Sequence, residues 1–181
     1  MPPRNPWITL NTREVYANRW LRVREDEVVR PDGARGVYGV VEIPPSVGIV
    51  AVNDRGGVAL VGQWRYASRC YSWEIPRGGT HPGEQDMLAA ARRELREEAG
   101  IEAEQWQFLS AVQVCNGVTT DIQHLYLATK LARVKDEQDP EESIVCRFVP
   151  FEEAIRRVMS GEISEVCSVA ALLMVDRLRG S

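Results

Sequence analysis

The sequence predicts an α+β protein with helices packed on a mixed or mostly antiparallel sheet, and two observations carry the prediction. Short β-type runs separated by Gly, Pro, Asn and Asp turns fill the first half of the chain, and helical patterns enter only late. No internal repeat, low-complexity tract or long linker divides the 181 residues, so one domain, or one with a short appendage, is expected.

The elements follow in order. Residues Leu21–Arg30 alternate loosely, meet the turn Pro31-Asp32-Gly33 and continue into Val37–Glu42, which reads as a hairpin. Pro44-Pro45 interrupts the chain before the apolar run Val47–Val52. The turn Asn53-Asp54-Arg55-Gly56-Gly57 then leads into Val58–Arg65, read as a second hairpin. Further β-type runs are Trp106–Val114, Gln123–Leu131 and Ile144–Val149. A helix is expected from about Asp86 to Ala99, rich in Ala, Leu, Glu and Arg, with Gly100 as its stop. A second runs over Phe151–Ser160 between Pro150 and Gly161, and a third from a Ser164 cap to Leu178.

Composition narrows the function. Hydrophobic residues make up 44% and charged residues 27%, which fits a folded soluble domain and excludes a disordered one. The formal net charge of −4 speaks against a nucleic-acid binder, so an anionic ligand would need a metal or a few aimed arginines. Cys70, Cys115, Cys146 and Cys167 lie far apart with no CxxC, arguing for reduced thiols and against a zinc site. The first residues, Met1 to Tyr16, lack the apolar stretch of a signal peptide, and no run approaches the roughly 18 apolar residues of a membrane span. A cytoplasmic protein without membrane partners is the expectation.

The informative stretch is Trp73-Glu74-Ile75-Pro76-Arg77-Gly78-Gly79-Thr80-His81-Pro82-Gly83-Glu84 and the helix behind it. Glu94, Glu97 and Glu98 stand at i, i+3 and i+4, along one side of that helix, beside an apolar stripe of Leu88, Ala91 and Leu95. A solvated face neutralised by Arg92, Arg93 and Arg96 is one reading of this pattern. The other is a divalent-cation site, because hard Mg2+ takes carboxylate oxygens and keeps its remaining positions for water and phosphate. The glycine-rich loop in front, which lets backbone approach a ligand closely, favours the second.

Taken together these residues resemble the Nudix box: Gly, five residues, Glu, seven residues, then Arg-Glu-apolar-any-Glu-Glu-any-Gly-apolar. Its second half is complete in Arg93-Glu94-Leu95-Arg96-Glu97-Glu98-Ala99-Gly100-Ile101, and Gly78 and Glu84 supply the first. Eight residues, not seven, separate Glu84 from Arg93. The register through Gly79 restores the length but places Gln85 where Glu is expected. The Gly78/Glu84 register is preferred, with the extra residue taken up in Gln85-Asp86-Met87, and Glu84 is left out of the ligand set. Beyond the box, Arg19–Glu27, Gly36–Pro45, Gln63-Trp64-Arg65-Tyr66, Trp73-Glu74-Ile75-Pro76, Val149–Ala154 and Gly161-Glu162-Ile163 look like the ADP-ribose pyrophosphatase and nucleoside-diphosphate-sugar hydrolase branch.

The resemblance implies an α/β/α sandwich with a mixed sheet, residues 46–181, behind an N-terminal antiparallel β region, residues 1–45, that forms a homodimer. It implies hydrolysis of a nucleoside diphosphate linked to another group, a small-molecule substrate, with Mg2+ as cofactor and Mn2+ as the alternative. Glu94 and Glu98 would be metal ligands, Glu97 a third ligand or a support, and the carbonyl of Arg77 a further ligand. Arg93 would orient a box glutamate by a salt bridge. The catalytic base would be Glu142, or next Glu141, in the acidic loop Val134–Ser143. Arg65 would contact phosphate and Glu74 the sugar, while Trp7 and Trp20 are core residues or stack on the base. The stretch Cys115–Asp121 lacks the proline of Ser-Pro-Gly loops in classical ADP-ribose enzymes, which leaves the sugar open. Another nucleotide substrate, or a non-catalytic nucleotide sensor, is the alternative.

Overall fold

The computed structural model describes residues 4–81, 83–134 and 143–180. The chain divides into two units, Met1–Pro44 with Gln113–Asp121, and Pro45–Val112 with Ile122–Ser181.

The first unit is a three-stranded antiparallel sheet of β1 (Ile8–Ala17), β2 (Arg22–Val29) and β3 (Arg35–Glu42), in that order. The expected hairpin is β2–β3, closed by Gly33 N–H donating to the Arg30 carbonyl at 2.9 Å, with Asp32 accepting from Ala34 N–H at 3.0 Å. Strand β1 lies within the N-terminal β region that the resemblance implies, but its own residues do not mark it as a strand. It is exposed along its whole length and its register to β2 shifts twice, so it carries no clean inside–outside alternation to read. The stretch Gln113–Asp121 returns onto β3, where Val41 N–H donates to the Val118 carbonyl and Tyr38 Oη to the Gly117 carbonyl.

The second unit holds two sheets. One has β4 (Ser46–Ala51), β7 (Arg77–Gly79), β8 (Ile101–Gln113) and β9 (Ile122–Arg133) in the order β7-β4-β9-β8, with β4 and β9 parallel. The other orders β5 (Gly57–Arg65), β6 (Cys70–Glu74) and β10 (Val145–Pro150) as β10-β5-β6, all antiparallel. The second expected hairpin is therefore corrected. Its turn forms, with Asn53 N–H on the Gly57 carbonyl, but only the bridge Val52–Val58 joins the two strands before they part into different sheets. Continuous apolar runs such as Val58–Val61 mark strands covered on both faces, which a two-stranded hairpin cannot supply.

Helix α1 (Met87–Ala99) covers one face of β4. Its Ala90, Ala91, Leu95 and Ala99 pack with Val47, Ile49 and Ala51, the odd-numbered residues of that strand. Helix α3 (Val166–Arg179) also packs on β4 and β9, and β4 is buried at every residue. This helix–sheet–helix layering is the arrangement the resemblance implies. Asp86 caps α1 by accepting from Leu88 and Ala89 N–H, and Gly100 ends it in the left-handed conformation at φ 62°, where glycine carries no Cβ penalty. Helix α2 (Phe151–Ser160) lies between Pro150 and Gly161 as expected. The cap of α3 is Glu165 and not Ser164. The carboxylate accepts from Cys167 N–H at 3.1 Å and Ser168 N–H at 2.7 Å, whereas Ser164 stands one residue too early to reach those donors. No helix among the described residues is long and apolar enough to cross a membrane.

Candidate active site

Strand β7 is the front wall of the site. It runs antiparallel to β4 with Arg77 opposite Gly48, Gly78 opposite Val47 and Gly79 opposite Ser46, and Ile49 N–H donates to the Pro76 carbonyl at 2.9 Å. Against this backbone α1 presents two buried carboxylates, Glu94 and Glu98. Arg77 N–H donates to Glu98 Oε2 at 2.7 Å. At Gly78 the approach is closer still: a Cβ there would fall inside the Glu94 carboxylate. Glycine at this position is a condition for Glu94 to occupy its place, which explains the residue type without reference to any turn.

Arg93 organises the outer side. Its Nη1 donates to Glu94 Oε1 at 2.7 Å and to Glu97 Oε2 at 2.9 Å; its Nη2 donates to the Gly79 carbonyl at 2.9 Å and to Glu84 Oε2 at 3.2 Å. Burial opposes the charge on this guanidinium, but Glu94 and Glu97 outweigh it and hold Arg93 more firmly protonated than usual. Glu84 also accepts His81 N–H at 2.9 Å, and although burial pushes its carboxyl up, that bond and Arg93 bring it below the ordinary range. The extra residue ahead of Arg93 therefore does not keep Glu84 from the cluster. Glu97, at 38% side-chain exposure, is the outermost of the three helix acids.

Arg65 and Glu74, expected to meet phosphate and sugar separately, meet each other. Arg65 Nε donates to Glu74 Oε1 at 2.9 Å and Nη2 to Oε2 at 2.5 Å, while Arg77 Nη1 reaches the same Oε2 at 3.4 Å. Glu74 is buried, which pushes its carboxyl up, but the Arg65 fork more than reverses this and the carboxyl lies below its usual range. Sequence reasoning passed over two residues at the start of α3 that meet this segment. Ser168 Oγ accepts Ile75 N–H at 3.1 Å, and Glu165 Oε1 lies 3.8 Å from Arg77 Nη1. Their only local signal is the start of a helix, far along the chain from the loop they meet.

Glu141 and Glu142 lie outside the described residues. Trp7 and Trp20 belong to the first unit, Trp7 edge-on to Tyr38 at 5.3 Å and Trp20 exposed beneath the Arg19 guanidinium. Among the described residues no three His, Cys, Asp or Glu side chains form a ready-made metal cluster. Arg93 holds Glu97 and one oxygen of Glu94 in ion pairs. The donor set still suits a hard cation: buried carboxylate oxygens beside a backbone cleared of Cβ atoms at Gly78.

The lowered Glu74 carboxyl has a consequence for stability. Its contribution is complete above the unfolded value near pH 4.3 and is lost as pH falls through the lower folded value. Glu74→Gln should cost about 3 kcal/mol at pH 7 by leaving two guanidinium groups short of a counter-charge. Urea unfolding from pH 7 to pH 3 should show the gap between the two proteins narrowing only below about pH 4.3. A gap that does not change with pH would contradict the assignment.

Comparison with known proteins identifies the family. Residues 42–168 match the NUDIX domain, and residues 4–41 match the nucleoside diphosphate sugar hydrolase N-terminal domain. The chain is 37% identical over 170 residues to the ADP-ribose pyrophosphatase of Mycobacterium tuberculosis, covering 92% of this chain and 82% of that protein. It is 28% identical over 166 residues to the methanol dehydrogenase activator of Bacillus methanolicus, covering 91% and 89%. In fold it matches the crystal structure of an ADP compounds hydrolase with a TM-score of 0.84, at 24% identity, over 99% of this chain and 98% of that one. With the box half-buried in a Nudix fold and the match spanning most of its length, this chain belongs to the Nudix family of hydrolases.

Proposed function

We propose that this chain is a Mg2+-dependent pyrophosphohydrolase of nucleoside diphosphate sugars, ADP-ribose or a similar compound, releasing a nucleoside monophosphate and a sugar phosphate. The observation that carries the reading is the pair of buried carboxylates, Glu94 and Glu98, set against the Arg77–Gly78 backbone. The similarity to an ADP-ribose pyrophosphatase and to the nucleoside diphosphate sugar hydrolase N-terminal domain supports the substrate class.

Nudix hydrolases act with a divalent cation. Glu94, Glu98 and the Arg77 carbonyl would hold it here, and Glu97 would support them. When bound, Mg2+ neutralises diphosphate oxygens and acidifies water. The chain's own residues do the remainder. Arg93 fixes the orientation of Glu94 and Glu97. Arg65, one-third exposed and forked on Glu74, presents a fixed positive charge to the substrate phosphates, and Glu74 acts through it rather than on the sugar. Glu142, or next Glu141, takes the proton from the attacking water. The exposed apolar residues Ile8, Leu10, Val15 and Tyr16 of β1 favour a homodimer formed through the N-terminal sheet.

A panel of nucleoside diphosphate sugars, dinucleoside polyphosphates and nucleoside triphosphates with Mg2+, scored for monophosphate release, tests the class; turnover of the sugars is expected. Nucleotide affinity without any turnover would point to a sensor instead. Glu98→Gln should lower kcat at least ~100-fold, the scale of a lost electrostatic element, and a loss under about tenfold contradicts the ligand role. In single-turnover assays Glu142→Gln should be slower than Glu141→Gln, and near-native rates in both would move the base elsewhere. Light scattering at micromolar concentration should report a dimer; a monomer would count against the N-terminal interface.

A further inference from the structure

The tripeptide Ile75-Pro76-Arg77 connects β6 to the site wall, and its backbone donors can be followed completely. Pro76 has none. Ile75 N–H donates to Ser168 Oγ, which is fully buried, and Arg77 N–H donates to Glu98. Ser168 Oγ in turn donates to Glu165 Oε2 at 2.7 Å, and the other oxygen of Glu165 faces Arg77 Nη1 at 3.8 Å. Glu165 and Ser168 therefore hold the tripeptide on both sides of the proline, one through a backbone N–H and the other through a guanidinium.

Capping alone does not account for glutamate at this position. Aspartate, asparagine and serine are the preferred residues at a helix N-cap, and glutamate is not among them. The longer side chain is what lets one carboxylate satisfy Cys167 N–H, Ser168 N–H and Ser168 Oγ while keeping an edge on Arg77. Burial matches the task, with the Glu165 side chain at 14% exposure and that of Arg77 at 22%.

We infer that Glu165 is a positioning residue for the reaction. Through the Arg77 guanidinium it fixes the Arg77 peptide, and with it the N–H that orients Glu98 and the carbonyl assigned to the cation. This rests on the metal reading given under the proposed function. Neither Glu165 nor Ser168 touches the substrate in this account; both set the geometry of groups that do, as outer partners of metal ligands commonly do.

Glu165→Asp separates the two roles, because aspartate caps a helix well but is one methylene too short to reach Arg77 as well. Binding of Mn2+ to the full chain, followed by electron paramagnetic resonance without substrate, is the readout, with thermal unfolding beside it. Glu165→Asp should keep the wild-type melting temperature and bind Mn2+ about tenfold more weakly. Its kcat at saturating metal should stay within about threefold of wild type. Arg77→Ala, which retains its carbonyl, should show the same weakening, and the double variant should add less than about twofold to it. Wild-type Mn2+ affinity in both single variants would overturn the inference while leaving the metal site standing. Absence of Mn2+ binding by the wild type would overturn both.

Discussion

The site depends on how closely a helix carboxylate can approach a strand backbone. Glu94 lies where a side chain on Gly78 would have to be, and one turn further on Glu98 accepts the N–H of Arg77. Two like charges four residues apart repel each other on an isolated helix by a few tenths of a kcal/mol. The fold sets that against a charge-assisted hydrogen bond, worth about 1.5–3 kcal/mol, and against Arg93 on the outer oxygens. Pairing of β7 with β4, itself covered by α1, keeps the two carboxylates and the two peptides in register.

Around these acids the arginines are arranged to do two different things. Arg93 sits among Glu84, Glu94 and Glu97 and offsets charge inside the cluster. Arg65 and Arg77 share one buried carboxylate, Glu74, and Arg77 also faces Glu165, so the charges of this set balance. Arg65, one-third exposed, is the member of this set that can face an anionic substrate in a chain whose overall charge is −4. Both sets are anchored in packed elements, so the guanidinium positions are given by the fold before any ligand arrives.

Much of this was legible because it is local. The limits of α1 follow from Asp86, the Ala- and Leu-rich run and Gly100, and the spacing of Glu94, Glu97 and Glu98 places them on one side by helical geometry alone. The β2–β3 hairpin follows from its turn. What escaped depends on partners distant in sequence. The run Val47–Val52 gives no sign that its strand pairs in parallel with β9 rather than with its neighbour β5. Strand β7 is only Arg77-Gly78-Gly79, a segment with poor strand propensity that pairs because β4 offers it an edge. Nothing in the sequence shows the two arginines that Glu74 holds, and the reach of Glu165 to Arg77 joins a helix start to a strand nearly ninety residues earlier in the chain.

The most direct measurement is diffraction at the manganese edge from crystals soaked with Mn2+ and a non-hydrolysable nucleoside diphosphate sugar. The account predicts an anomalous peak within coordination distance of Glu94, Glu98 and the Arg77 carbonyl, with the diphosphate beside it. A peak elsewhere on the chain, with Glu94 and Glu98 still paired only to protein groups, would contradict it.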